Sequence, residues 1–169
     1  MKLIIITLVC LLSFSAFAQY SGTYTVKKGY TESLSVSQTE QLGKIRVVLK
    51  IVNHSNHTKD KIVIDGIMRG ILNPDYTLTH TLVNNDRTGA IYTAGDSITA
   101  IYAGDPTCAD GITPFKIEET LTLVAGSGIY SGIQYGSFIV LKGVVNNCPL
   151  TPEYGINNFE VIGGSVKFQ

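Results

Sequence analysis

Two adjacent carboxylates, Glu118 and Glu119, stand in an alternating run from Lys116 to Val124. At a period of two, Ile117, Glu119, Leu121 and Leu123 share one face, and Lys116, Glu118 and Thr120 share the other. If the apolar face is buried, Glu119 is a carboxyl group among aliphatic side chains. Such a group must find a partner or keep its proton to a higher pH, which is how a general acid is made. The plainer alternative is a bulge that shifts the register, or a hydroxyl or arginine that satisfies the carboxylate. The residues favour that structural role.

His80 shares a face with Tyr76, Leu78 and Leu82, and is a candidate base beside such an acid. A lone histidine on a partly apolar face is more often a hydrogen-bonded structural residue. Asp65 and Arg69 lie on one face with Val63, Ile67 and Ile71. At strand spacing they are ~13 Å apart, too far to touch each other. Each must pair across strands, and Arg69 with Glu119 is one geometric possibility. A pair on the outer wall is the simpler reading. Glu119, His80 and Arg69 are thus the catalytic candidates, and Asp65, Tyr92 and Tyr102 the ligand-binding ones. Tyr92 and Tyr102 share a face of the run Ala90 to Tyr102. Their rings suit an apolar ligand, though packing is the role the pattern favours.

Other chemistries find no footing. His54 and His57 lie three apart in a polar turn, without a carboxylate or cysteine to complete a metal set. No serine sits in a G-x-S-x-G elbow, and no phosphate loop occurs. No cofactor and no metal are expected. With 13 basic and 13 acidic residues, the chain has no electrostatic footprint for nucleic acid or anionic membranes.

The elements that must position these residues are strands. Lys44 to Val52 alternates Ile45, Val47, Leu49 and Ile51 against Lys44, Arg46 and Lys50, as a half-buried antiparallel strand does. Tyr20 to Tyr30, Lys61 to Leu72, Tyr76 to Val83, Ala90 to Tyr102, Phe115 to Val124, Ile129 to Val145 and Phe159 to Phe168 also read as strands, with Ser33 to Gln41 a weaker candidate. Turn residues such as Asn73-Pro74-Asp75 and Asn84-Asn85-Asp86 separate them. The pattern predicts an all-β fold, a single antiparallel β-barrel of about eight strands, with a β-sandwich as the alternative.

Residues 1–18 read as a signal peptide: Lys2, an apolar run from Leu3 to Leu12, and Ala16-Phe17-Ala18 before a cleavage between Ala18 and Gln19. The run is too short to span a membrane. Residues 19–169 are about 150 residues, one domain with a sizeable core. Secreted or periplasmic placement follows, and with it a disulfide between Cys108 and Cys148. Asn53-His54-Ser55 and Asn56-His57-Thr58 are N-glycosylation sequons.

Gly126-Ser127-Gly128-Ile129-Tyr130-Ser131-Gly132, then Gly136, then Ser137 to Gly143 form a glycine-punctuated strand. This run resembles a signature of the small secreted barrels related to allene oxide cyclase and plant dirigent proteins. His80 to Gly89 is similar to a hairpin entry of that superfamily, Gly95-Asp96 falls on the next strand, and Val161 to Phe168 suits a last barrel strand. The resemblance covers the C-terminal half well and the N-terminal half by strand pattern. It implies an eight-stranded antiparallel barrel with an apolar cavity. Some members cyclise a fatty-acid epoxide, others guide phenol coupling, and many bacterial members have no known activity. No local motif maps their catalytic residues onto this chain, so the resemblance transfers fold alone.

The expectation is an exported, non-enzymatic barrel that binds a small apolar ligand or a macromolecular partner. One alternative is a cyclase-like or isomerase-like enzyme with Glu119 as its acid. Another is a surface interaction or inhibitor protein. Oligomeric state is not legible.

Overall fold

The computed structural model describes residues 20–52 and 61–169. Residues 1–18, read from the sequence as a signal peptide, His54, His57 and both sequons lie outside the described residues. The described residues form nine strands: β1 (Gly22–Ser35), β2 (Glu40–Ile51), β3 (Lys61–Leu72), β4 (Leu78–Asn84), β5 (Gly89–Thr93), β6 (Ser97–Ala103), β7 (Phe115–Gly128), β8 (Ser137–Val145) and β9 (Ile156–Phe168). Among the described residues no helix is long and apolar enough to cross a membrane.

All pairings are antiparallel. The sheet runs β5-β4-β3-β2-β1-β9-β8-β7-β6, and β5 also pairs with β7. That last pairing closes an eight-strand barrel, with β6 as a ninth strand. Closure leaves each alternating strand one face to bury. Along β7, Phe115, Ile117, Glu119, Leu121 and Leu123 all point inward and are buried. Tyr24, Ile45, Val47, Leu49, Ile64, Met68, Leu82, Ile139 and Val161 meet them in one core.

Three sequence expectations are corrected. Ala90 to Tyr102 is not one strand. It breaks after Thr93, Gly95 adopts φ +65°, and the chain resumes as β6. The β5 half pairs with Leu123 to Gly128 of β7, the β6 half with Lys116 to Thr120. Nor does Ile129 to Val145 form one strand. β7 ends at Gly128, and residues 129–136 make a turn before β8. Gly128 has φ +58°, and a Cβ there would overlap the Thr88 carbonyl oxygen, so the glycine permits the close β5–β7 approach that shuts the barrel. The glycine run therefore ends one strand and reverses the chain; it does not coil a long one. Finally, Ser33 to Gln41 supplies the end of β1, a turn and the start of β2.

One end of the barrel is plugged by rings. Tyr20 meets Tyr130 at a tilt and Phe168 edge-on, and Tyr24 meets Phe168 edge-on at 5.7 Å. The opposite end carries the polar side chains.

Candidate functional site: a carboxyl group in the barrel lumen

Glu119 enters the lumen from β7, between Ile117 and Leu121, because period-two alternation holds along that strand without a bulge against β8. It is 2% exposed. Its Oε1 is buried and has no hydrogen-bond partner. Burial pushes its pKa up to about 7; the charge of a protonated His80 would lower it and Asp96 raises it. Among the described residues no lysine or arginine is buried, so no fixed cation opposes that rise.

His80 comes from β4, whose register sets it opposite Gly70 of β3, itself opposite Gln41 of β2. Its Nδ1 lies 2.8 Å from Asp96 Oδ2 and 3.9 Å from Glu119 Oε1. The second distance is beyond a hydrogen bond. Burial depresses the ring's pKa, but the Asp96 hydrogen bond and the charges of Glu119 and Asp96 outweigh that and raise it.

Asp96 reaches the interior because of the β5–β6 break. Its backbone exchanges both hydrogen bonds with Leu78. Where the β7 ladder is interrupted, its Oδ1 accepts the Thr122 amide at 2.6 Å. Thr93 Oγ1 donates to Oδ2, and itself accepts the His80 amide at 2.6 Å. The carboxylate replaces the missing strand partner and gathers three donors, a form in which buried charge is stable.

The cavity beside Glu119 has a volume of 180 Å³. Leu72, Leu78, Phe115, Ile117 and Phe159 make its walls apolar, while Gln41 and Asn157 add amides. Pro106 and Asn147 stand at its rim. They belong to the two loops that the Cys108–Cys148 disulfide joins, with Cα atoms 5.2 Å apart. The predicted disulfide is thus present, and it braces the rim. An apolar pocket with few convergent polar groups is the ordinary form of a small-molecule site.

Four sequence candidates fall elsewhere. Arg69 does not meet Glu119; it lies on the outer wall, where its Nε donates to Glu40 Oε1 at 2.7 Å. Asp65 pairs outside with Arg46 and accepts from Asn85 Nδ2. Tyr92 is 41% and Tyr102 51% exposed. Tyr102 donates to Glu118 and packs under the Lys142 ammonium. All four take the outward parity of their strands, so none is a lumenal ligand contact.

The sequence gives no role to Asp96, named there only beside Gly95 in the resemblance, nor to Thr93, Gly70, Gln41 and Asn157. Parity could have found two of them: Gln41 shares a face with Ile45 and Val47, and Asn157 with Phe159 and Val161. Gly70 is a glycine inside a strand, itself a signal of close approach. Nothing local marks Asp96, whose role depends on the break.

No family model matches the chain, and no curated protein or solved structure matches it. The fold and the site define an eight-stranded antiparallel barrel, closed by aromatic rings at one end and holding a buried carboxyl group at the other.

Proposed function

We propose that the lumen binds a small, largely apolar molecule carrying one hydrogen-bond acceptor, and that Glu119 donates to that acceptor. The observation that carries this reading is the unpartnered Oε1 of a buried carboxyl group beside an apolar cavity of 180 Å³. An isolated buried polar atom is unfavourable unless something pairs with it, and a ligand carbonyl, hydroxyl or ether would do so. Carboxylate ligands fit poorly, because Glu119 and Glu40 line the cavity and no lysine or arginine among the described residues is buried to offset them. Residues 1–18, read as a signal peptide, and the disulfide support a reading in which the protein works outside the cytoplasm. The resemblance to the allene oxide cyclase and dirigent barrels accords with a lumenal site.

The test is thermal denaturation with matched sets of ligands: hydrocarbons, the corresponding ketones or phenols, and the corresponding carboxylates. The neutral oxygenated members raise the melting temperature and the others do not. No rise across the panel would sink the reading.

A second reading is an acid-catalysed cyclase or isomerase on an apolar substrate. A carboxyl group with a pKa of about 7 beside a cavity favours it, since a general acid works best near ambient pH. Product formation that disappears in Glu119→Gln distinguishes turnover from binding. A third reading, a surface interaction or inhibitor protein, draws on Ile112, Leu150 and Tyr154, exposed on or next to the loops of the disulfide.

A further inference from the structure

The polar end of the barrel contains a chain of hydrogen bonds whose directions can be assigned from one end. We infer that Asn157 and Gln41 are positioning residues that hold His80 neutral, with its proton on Nδ1, and so leave Glu119 as the ionisable donor of the cavity.

The anchor is a backbone group. The Asn146 amide N–H donates to Asn157 Oδ1 at 3.0 Å, and an N–H cannot accept. This fixes the Asn157 side chain, whose orientation would otherwise be ambiguous. Its Nδ2 then faces Ser35 Oγ at 3.1 Å and Gln41 Oε1 at 3.3 Å. Gln41 Oε1 also accepts Ser33 Oγ–H at 2.8 Å. With its oxygen committed, Gln41 turns its NH₂ to His80 Nε2, 3.3 Å away. An amide NH₂ has no lone pair to offer, so Nε2 must be the bare nitrogen. The ring proton sits on Nδ1 and donates to Asp96.

Gly70 makes this contact possible. It stands between Gln41 and His80 in the sheet. A Cβ there would lie 2.8 Å from Gln41 Nε2 and 2.8 Å from His80 Nε2.

The charged and titratable groups around the ring are few. Asp96 faces it from the β5–β6 link and Glu119 from β7. Glu40 lies on β2 at the cavity, paired to Arg69 of β3. The two buried acids draw a second proton towards the ring. That proton would have to occupy Nε2, directly against the Gln41 NH₂. A neutral ring withholds the positive charge that would lower the Glu119 pKa, so Glu119 keeps its proton to a higher pH. Asp96 is left accepting from three donors. The same assignment bears on metals. A His80 nitrogen and one oxygen each of Asp96 and Glu119 lie within 4.8 Å of one another. Nδ1 carries hydrogen where a ligand must offer a lone pair, so a divalent cation would have to displace that proton and break the bond to Asp96.

The inference concerns the free protein, so it can fail separately from the ligand-binding reading. The experiment is long-range ¹H–¹⁵N correlation spectroscopy of ¹⁵N-histidine-labelled protein at pH 8, with His80 assigned by its loss in His80→Asn. Expected are an Nδ1 shift typical of N–H and an Nε2 shift typical of a bare nitrogen. Two N–H shifts, or the proton on Nε2, would overturn the assignment. Gln41→Glu sets an acceptor opposite Nε2. It converts the ring to imidazolium and lowers the Glu119 carboxyl titration, read by ¹³C, by a pH unit or more. Gln41→Met, which offers no such acceptor, leaves the ring neutral. An unchanged Glu119 titration in a folded Gln41→Glu protein overturns the coupling.

Discussion

Replacing Glu119 by glutamine should make the protein's stability less dependent on pH, by an amount the structure supplies. The pKa of Glu119 rises from 4.5 to about 7 on folding, chiefly through burial. Between those values the unfolded chain releases a proton that the folded chain keeps. The stability tied to the neutral carboxyl is therefore fully present below 4.5 and is lost as pH rises through about 7. At 1.4 kcal/mol per pH unit, that interval is worth roughly 3 kcal/mol. Glutamine has nearly the same shape and no charge to bury. The difference in unfolding free energy, variant minus wild type, should increase by roughly 3 kcal/mol in favour of glutamine between pH 4 and pH 8. Urea denaturation of both proteins at half-unit pH steps measures it. Only the change with pH matters, so a constant offset from local packing does not disturb the result. A difference flat in pH would show that Glu119 ionises as an exposed carboxylate does. A difference running the other way would mean that a cation stabilises its charged form.

Three further perturbations probe the frame of the site. Asp96→Ala leaves the Thr122 amide, the Thr93 hydroxyl and the His80 Nδ1–H without their acceptor. Urea melting should show a loss of about 3 kcal/mol or more, with faster amide exchange at Thr122. Replacing both Cys108 and Cys148 by serine opens a loop of sequence separation 40 and should lower stability by about 4 kcal/mol on the loop-entropy model. The same loss should appear in the unmodified protein on reduction. Gly128→Ala forces a side chain into a left-handed position against the Thr88 carbonyl. It should cost more than about 2 kcal/mol, with amide exchange rising first along the β5–β7 pairing.

Period-two alternation made most of the barrel legible. Lys61 to Leu72 matches β3 at both ends, and the inward parity of Glu119 is that of its apolar neighbours. Parity also assigned His80 its face. It could not say which face of a charged strand turns outward, so Asp65 and Arg69 stayed open until the sheet closed around Ile64 and Met68. The glycine run misled because a positive-φ glycine that ends a strand and one that bends it look alike in sequence. The role of Asp96 was invisible for a different reason. Its carboxylate substitutes for a ladder partner at a break between β5 and β6, and a break of that kind is decided by how both halves lie along β7. The Asn157–Gln41–His80 chain crosses β9, β2 and β4, and no local spacing encodes it.

The most direct test of the lumenal donor is calorimetric titration of the strongest neutral ligand at a series of pH values. If protonated Glu119 grips the acceptor, affinity is level below pH 6 and falls about tenfold per pH unit above about 7, while Glu119→Gln binds with no such fall. Wild-type affinity that stays constant from pH 5 to pH 9 would contradict the account.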